Sequence, residues 1–205
     1  MNQIENYSKF LKSVFDRYYT IEDNSLSQLL NIAKVTELQK EELLLDVGHT
    51  SKDIHILHDG VIVSYFICTD GNQYHKNIFL KGDFVASTVS NLKNKPSQFA
   101  LKVVERATVI SFNYKKYREL LNEHTDLKNF YIAYLEKNWV IDKEKREISI
   151  VMNEATERYS TFIASHPDVE KRVPLSYIAS HLGITPTQLS RIRKKIKENM
   201  PNQHM

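Results

Sequence analysis

The chain has 205 residues, 41% hydrophobic and 26% charged, which is enough for one large domain or two small ones, each with a real core. One cysteine, Cys68, excludes an internal disulfide and an iron–sulfur cluster and fits a reducing compartment, so the cytoplasm is the expected location; no signal-peptide profile and no apolar run near the ~18 residues of a membrane span are present. The formal net charge of +3 is unevenly placed: residues 151–205 hold eight Lys/Arg against five Asp/Glu, residues 1–150 are balanced, and residues 185–197 contain five cations and no acid.

Residues 1–35 read as helical, because Tyr7, Phe10, Leu11, Val14 and Phe15 recur at helical spacing, and Leu26, Leu29, Leu30 and Ala33 do so again after Asp23-Asn24-Ser25. From Thr36 to about Phe112 short apolar runs rich in β-branched and aromatic residues replace that period (ELLLDV, DIHIL, VIVSYFIC, YHKNIFL, FALKVV, ATVISF). Asp59-Gly60 and Asp70-Gly71 read as hairpin dipeptides, with further turns at Gly48 and Gly82-Asp83, and the spacing suits an antiparallel sandwich or jelly roll.

After Asn113 a short helix is predicted over residues 114–122, then a long one from about Thr125 to Val151, free of Gly and Pro. Leu127, Tyr131, Tyr134, Asn138, Ile141, Lys145, Ile148 and Met152 alternate steps of four and three along it, a heptad seam that predicts a parallel two-fold dimer; the plain alternative is a helix packed on its own core. A further helix over about Asn153–Ser165 should stop at His166-Pro167, since proline disfavours helix in the residue before it.

The segment from Val173 to Ile196 carries the most specific pattern. Ile178, Ala179 and Leu182 form an apolar face before Gly183, which supplies the positive φ of a tight turn; Thr185 is then a good N-cap, Pro186 fits the first helical position, and Leu189, Ile192 and Ile196 bury one side of a second helix. Two short helices on a Gly turn, the second with Thr187, Gln188, Ser190 and Arg191 facing outward, make a helix-turn-helix whose second helix lies in the DNA major groove.

With these residues in hand, the chain resembles the Crp/Fnr family of bacterial transcription regulators over about residues 20–200. The carriers are LQKEELLLDVG through LHDGVIVSY, then KGDF, then VISFNYKKYRELL, and finally IASHLGITPTQLSR. The resemblance implies an α+β chain: a cyclic-nucleotide-binding-like double-stranded β-helix (jelly roll) with flanking helices over residues 1–124, a dimerisation helix over 125–152, and a winged helix-turn-helix domain over 153–205. Only nine residues follow Ile196, so wing strands are expected around Lys171–Val173 or are missing.

The resemblance also implies a homodimer on a pseudo-palindromic DNA operator, with RNA polymerase as a further partner and a small-molecule effector of unknown identity, or none. Thr187, Gln188 and Arg191 would read bases, Arg191 by a bidentate contact to guanine and Gln188 to adenine. Ser176, Thr185, Arg193, Lys194 and Lys195 would hold phosphates. Leu127, Tyr131, Tyr134, Asn138, Ile141 and Ile148 would form the dimer seam, with a hinge near Met152-Asn153.

Family members that bind cyclic nucleotides carry Gly-Glu and, later, Arg-Ser-Ala, whose arginine pairs with the cyclic phosphate. The corresponding effector pocket is Gly82, Asp83, Ser97 and Gln98; its phosphate-pairing cation is missing, so cyclic AMP is not the expected ligand, although Lys93, Lys95 or Lys102 could substitute. His49, His55, His58 and His75 are candidate haem ligands, with a packed or surface histidine as the plainer reading; no cofactor and no metal are expected. Two rivals remain: a cyclic-nucleotide or other small-ligand sensor or scaffold module without DNA readout, and a metal-dependent cupin enzyme, disfavoured because His55 and His58 fall on opposite faces of a strand and no His-x-His occurs.

Overall fold

The computed structural model describes residues 7–69 and 71–199. Helices α1 (Ser8–Asp16) and α2 (Asp23–Ile32) precede strands β1 (Ala33–Leu38), β2 (Leu43–Leu45), β3 (Asp53–Ile67), β4 (Gln73–Phe79) and β5 (Phe84–Val85), a short helix α3 (Thr88–Lys93), and strand β6 (Ala100–Asn113). The strands form one antiparallel sheet in the order β1-β6-β3-β4, with β2 on β6 and β5 on β3, curled in jelly-roll fashion. The strand period of two divides its faces. Ile56, Ile110 and Phe112 meet Leu11, Phe15 and Leu29 of the first two helices, whereas Leu57, Val103 and Val109 face a second core inside the barrel.

Asp59-Gly60 does not turn the chain. β3 runs straight through it, still paired with β6 (Asp59 opposite Thr108, Val61 opposite Glu105), and the irregular register there is a β-bulge in place of the expected hairpin. The bulge changes the parity of the strand. Leu57 faces the barrel interior before it and Ile62 after it, so Val61 and Val63 turn outward into a third core. Gly60 makes this possible: φ is +93°, and a Cβ would collide with the Arg106 carbonyl and lie 2.6 Å from Ala107 Cα. Gly71 (φ +83°) lies in the β3–β4 connection; its expected turn partner Asp70 falls outside the described residues.

Helix α4 (Tyr114–Glu123) starts on Asn113, whose side chain accepts the Lys116 N–H, and leads into α5 (Thr125–Leu135), a π turn (Glu136–Ile141) and α6 (Asp142–Met152). Asn153 is extended and separates α6 from α7 (Ala155–Ser165). Residues Val169–Arg172 form a helical turn, α8, where wing strands were one expectation, and α9 (Leu175–His181) and α10 (Pro186–Asn199) come after it. No wing strand occurs among the described residues. No helix in them is long and apolar enough to cross a membrane.

Gly60→Ala should therefore destabilise the chain by about 2 kcal/mol or more, through both the positive φ and the clash. Urea unfolding measures this, and a loss no larger than that of an ordinary surface substitution would contradict the bulge's role.

Candidate nucleic-acid interface

Ile178 and Ala179 of α9 are fully buried, and the small Ala179 side chain lets α10 approach. Gly183 sits at φ +69° and its N–H bonds the Ser180 carbonyl at 3.1 Å, while the Ile184 N–H bonds Ala179 at 3.0 Å. Thr185 Oγ1 accepts the Gln188 N–H (3.1 Å) and Gln188 Oε1 accepts the Thr185 N–H (2.9 Å), a reciprocal capping box. The expected base reader Gln188 thus has its carbonyl oxygen engaged in the cap, although the residue is exposed.

Thr187, Gln188, Arg191, Lys194 and Lys195 are exposed on α10, as are Thr185 and Ser176, and Leu189 seals the opposite side. Among the described residues Arg191 and Lys195 form no ion pair, and Lys194 pairs with Glu198 at 3.8 Å on a fully solvated turn. Arg193 departs from the expectation. It is half-buried and bonded to Glu170 at 2.8 Å, and Tyr159 donates to the same carboxylate at 2.7 Å, so Arg193 ties α10 to α7 and α8 instead of facing solvent.

The two helices stand on the barrel. β4 is an edge strand, and an edge leaves backbone N–H and C=O groups unpaired. Ser180 Oγ accepts the His75 N–H (2.9 Å) and donates to the Gln73 carbonyl (3.2 Å); His181 Nδ1 lies 3.0 Å from the Lys76 carbonyl, which Arg146 of α6 also reaches. Arg172 clamps Glu105 with two bonds, 2.8 and 3.0 Å, and bonds the bulge carbonyl of Gly60. The third core joins Val61, Val63 and Val104 of the sheet to Tyr159, Val173, Ile178 and Leu189. Nothing in the linear sequence pairs Gln73–Lys76 with Ser180-His181, about a hundred residues away.

His75 lies within this contact, only 2% exposed, its ring stacked on Tyr177 at 3.9 Å with Tyr65 behind; both ring nitrogens lack a hydrogen-bond partner. Burial, then the Lys102 charge, lowers its pKa to about 4. His181 is likewise lowered to about 4 by burial and by Arg146, partly opposed by its bond to Lys76.

The long helix corrects the predicted seam. Leu127 is fully buried in the first core with Phe130, and Tyr131 and Tyr134 pack partly against that core. Asn138 donates to the Tyr134 carbonyl at 2.9 Å, the acceptor its own backbone N–H would take in an α-helix, and Lys137 pairs with Asp142 five residues on, as a π turn allows. The extra residue rotates the downstream helix by about 100°. Within the turn Trp139, Val140 and Ile141 are exposed, and past it so are Ile148, Val151 and Met152, Ile148 by 53% and Val151 by 82%.

The expected effector pocket is closed by its own contacts. Arg17, at the end of α1, donates to the Gly82 carbonyl and covers that glycine; Asp83 accepts the Leu80 N–H at 2.8 Å, its pKa raised by burial; Ser97 is buried against Ser87 (2.9 Å) and Phe99 (2.7 Å); Gln98 is exposed. Lys102 is taken by Glu41. Among the candidate haem ligands, His55 bonds Ser111, His58 lies edge-on to Tyr7 and Phe10, His75 is sealed and His49 is exposed; no three His, Cys, Asp or Glu residues converge among the described residues.

No family model matches the chain. It is similar to the anaerobic regulatory protein of Haemophilus influenzae, 23% identical over 185 residues that cover 85% of this chain and 71% of the relative. Among solved structures it superposes on the c-di-GMP-responsive global regulator CLP of Xanthomonas campestris with TM-score 0.68 at 12% identity, covering 87% of this chain and 93% of that one. It superposes on FixK2 of Bradyrhizobium japonicum with TM-score 0.67 at 17% identity, covering 82% and 85%. The fold is that of the Crp/Fnr regulators. The Haemophilus relative is a regulatory protein and CLP a global regulator.

The docked histidines make the structure acid-sensitive. Their folded-state pKa of about 4 lies below the ordinary 6.5, so their stabilising contribution is fully present above pH 6.5 and is lost as pH falls from there towards 4. The thermal midpoint should fall over that window. His75→Phe, which keeps the stack and cannot titrate, should flatten the fall; an unchanged pH profile would contradict the assignment to His75.

Proposed function

We propose that the chain is a homodimeric, sequence-specific DNA-binding transcription regulator of the Crp/Fnr type, acting in the cytoplasm on a pseudo-palindromic operator, with a degenerate cassette that does not take cyclic AMP. The observation that carries this reading is the face of α10. It presents Thr187, Arg191, Lys194 and Lys195 to solvent from a capped helix on a Gly183 turn, in the cationic end of an otherwise balanced chain.

In this reading Arg191 reads a guanine edge, with Thr187 and the Gln188 amide beside it, while Ser176, Thr185, Lys194 and Lys195 hold phosphates. Arg193 keeps the helix in place through Glu170. The exposed apolar side chains of α6 and the π turn are where a second copy packs, since so many of them in one stretch of helix are costly in a free monomer. Pairing there sets two α10 helices about 34 Å apart, one turn of DNA. Effector control, where present, requires a ligand with different affinities for two dimer geometries, expressed at the extended Asn153 link.

Fluorescence anisotropy on a selected operator and its single-base variants tests the assignment. Arg191→Ala should lose about 1–3 kcal/mol of discrimination at one base pair in each half-site, whereas Lys194→Ala should weaken all duplexes alike and lower the salt slope by about one. Equal, sequence-independent losses from both would contradict it. The double substitution Ile148→Asp with Val151→Asp should convert the dimer to monomer in sedimentation and reduce operator affinity by at least about tenfold; a dimer that survives it would place the interface elsewhere.

A further inference from the structure

The inside of a jelly roll is ordinarily apolar, and here it is so over most of its length, through Leu38, Leu57, Ile62, Val103 and Val109. At the end where β3 begins the same face becomes polar. Lys34, Ser111 and His55 stand opposite one another across β1, β6 and β3, and Thr36 follows Lys34 on the same side. By strand parity these positions continue the interior rows of Leu38, Val109 and Leu57. They border a cavity of about 320 Å³, whose far wall is Leu44, Leu45 and the segment from Thr50 to Asp53.

Inward-facing polar groups are costly unless something bonds them. His55 is 8% exposed and its Nδ1 lies 2.7 Å from Ser111 Oγ, so Nε2 is the ring's second polar edge. Burial lowers its pKa to about 4, so the ring is neutral and Nε2 offers a single polar edge. Lys34 and Lys52 are exposed at the rim and form no ion pair among the described residues, against one lining carboxylate, Asp53.

The rim is built in advance of any ligand. The Ser51 N–H bonds Ser90 Oγ at 2.9 Å, Asn91 Nδ2 bonds the Asp53 carbonyl at 3.0 Å, and the Tyr114 N–H bonds the Lys52 carbonyl at 2.8 Å, so α3 and the start of α4 brace it. None of the cassette residues Gly82, Asp83, Ser97 and Gln98 lines this cavity.

We propose that this barrel mouth binds a small hydroxylated anion, its charged group between Lys34 and Lys52 and its hydroxyls on Ser111, Thr36 and His55. The charged group is a carboxylate or a phosphate, and two probes separate these sources: gluconate and glycerol 3-phosphate. The proposal goes beyond DNA reading and does not depend on it.

The full chain, labelled at histidine nitrogens, is titrated with each probe at millimolar concentrations while the His55 ring resonances are tracked by NMR. At least one probe should give a saturable shift at His55, with His49 unmoved. The double variant Lys34→Ala, Lys52→Ala, which alters exposed side chains and should retain the fold, should weaken binding by at least about tenfold; Ser111→Ala should move the His55 resonances before any probe is added. A shift from neither probe, or an undiminished shift in the double lysine variant, would overturn the proposal. Gluconate acting without glycerol 3-phosphate assigns the ligand as a hydroxycarboxylate, and the reverse assigns it as a phosphate ester.

Discussion

The outer edge of β4 is the constraint on which the rest of the architecture turns. An unpaired strand edge demands hydrogen-bond partners or a cover, and here α9 supplies both, through the Ser180 hydroxyl and the His181 ring. Because α10 is fixed to α9 by the Gly183 turn and to α8 by the Glu170 bridge to Arg193, satisfying one strand's backbone also decides where the cationic helix stands. The bulge at Gly60 serves the same contact from the other side, turning Val61 and Val63 out of the barrel to meet Ile178 and Leu189. Barrel and carboxy-terminal helices therefore share a core, and a strain in the sheet reaches α10 directly as well as through the long helix.

The long helix divides its labour at the π turn. Before it, Leu127 and Phe130 belong to the first core and anchor the helix to α1 and α4; after it, the apolar side chains point to solvent. A single inserted residue separates these two roles, since each residue turns a helix by about 100°. A continuous α-helix with the same sequence would have carried one seam along its whole length, and part of that seam is already buried in the chain's first core.

The period of apolar residues revealed the helices and most strands, and the turn chemistry of Gly183, Thr185 and Pro186 located the α9–α10 turn and the first residue of α10. The errors have local causes. Asp59-Gly60 has the composition of a hairpin turn, and what makes it a bulge is the close approach of Arg106-Ala107, a tertiary fact. Heptad counting assumes an unbroken α-helix, and the Asn138 bond to Tyr134 that accompanies the π turn has no signature in spacing. Arg193 reads as one more cation in a basic run; only its placement beside Glu170 and Tyr159 shows that it faces inward. The barrel-mouth row of Lys34, Ser111 and His55 joins three distant segments and becomes visible once strand register is known.

DNA reading by a two-fold assembly is tested most directly by letting the purified chain select duplexes from a random pool and sequencing those it retains. Two inverted half-sites with centres one helical turn apart, about 10 base pairs, are the predicted result. Enrichment of no sequence, or of single half-sites without symmetry, would contradict it.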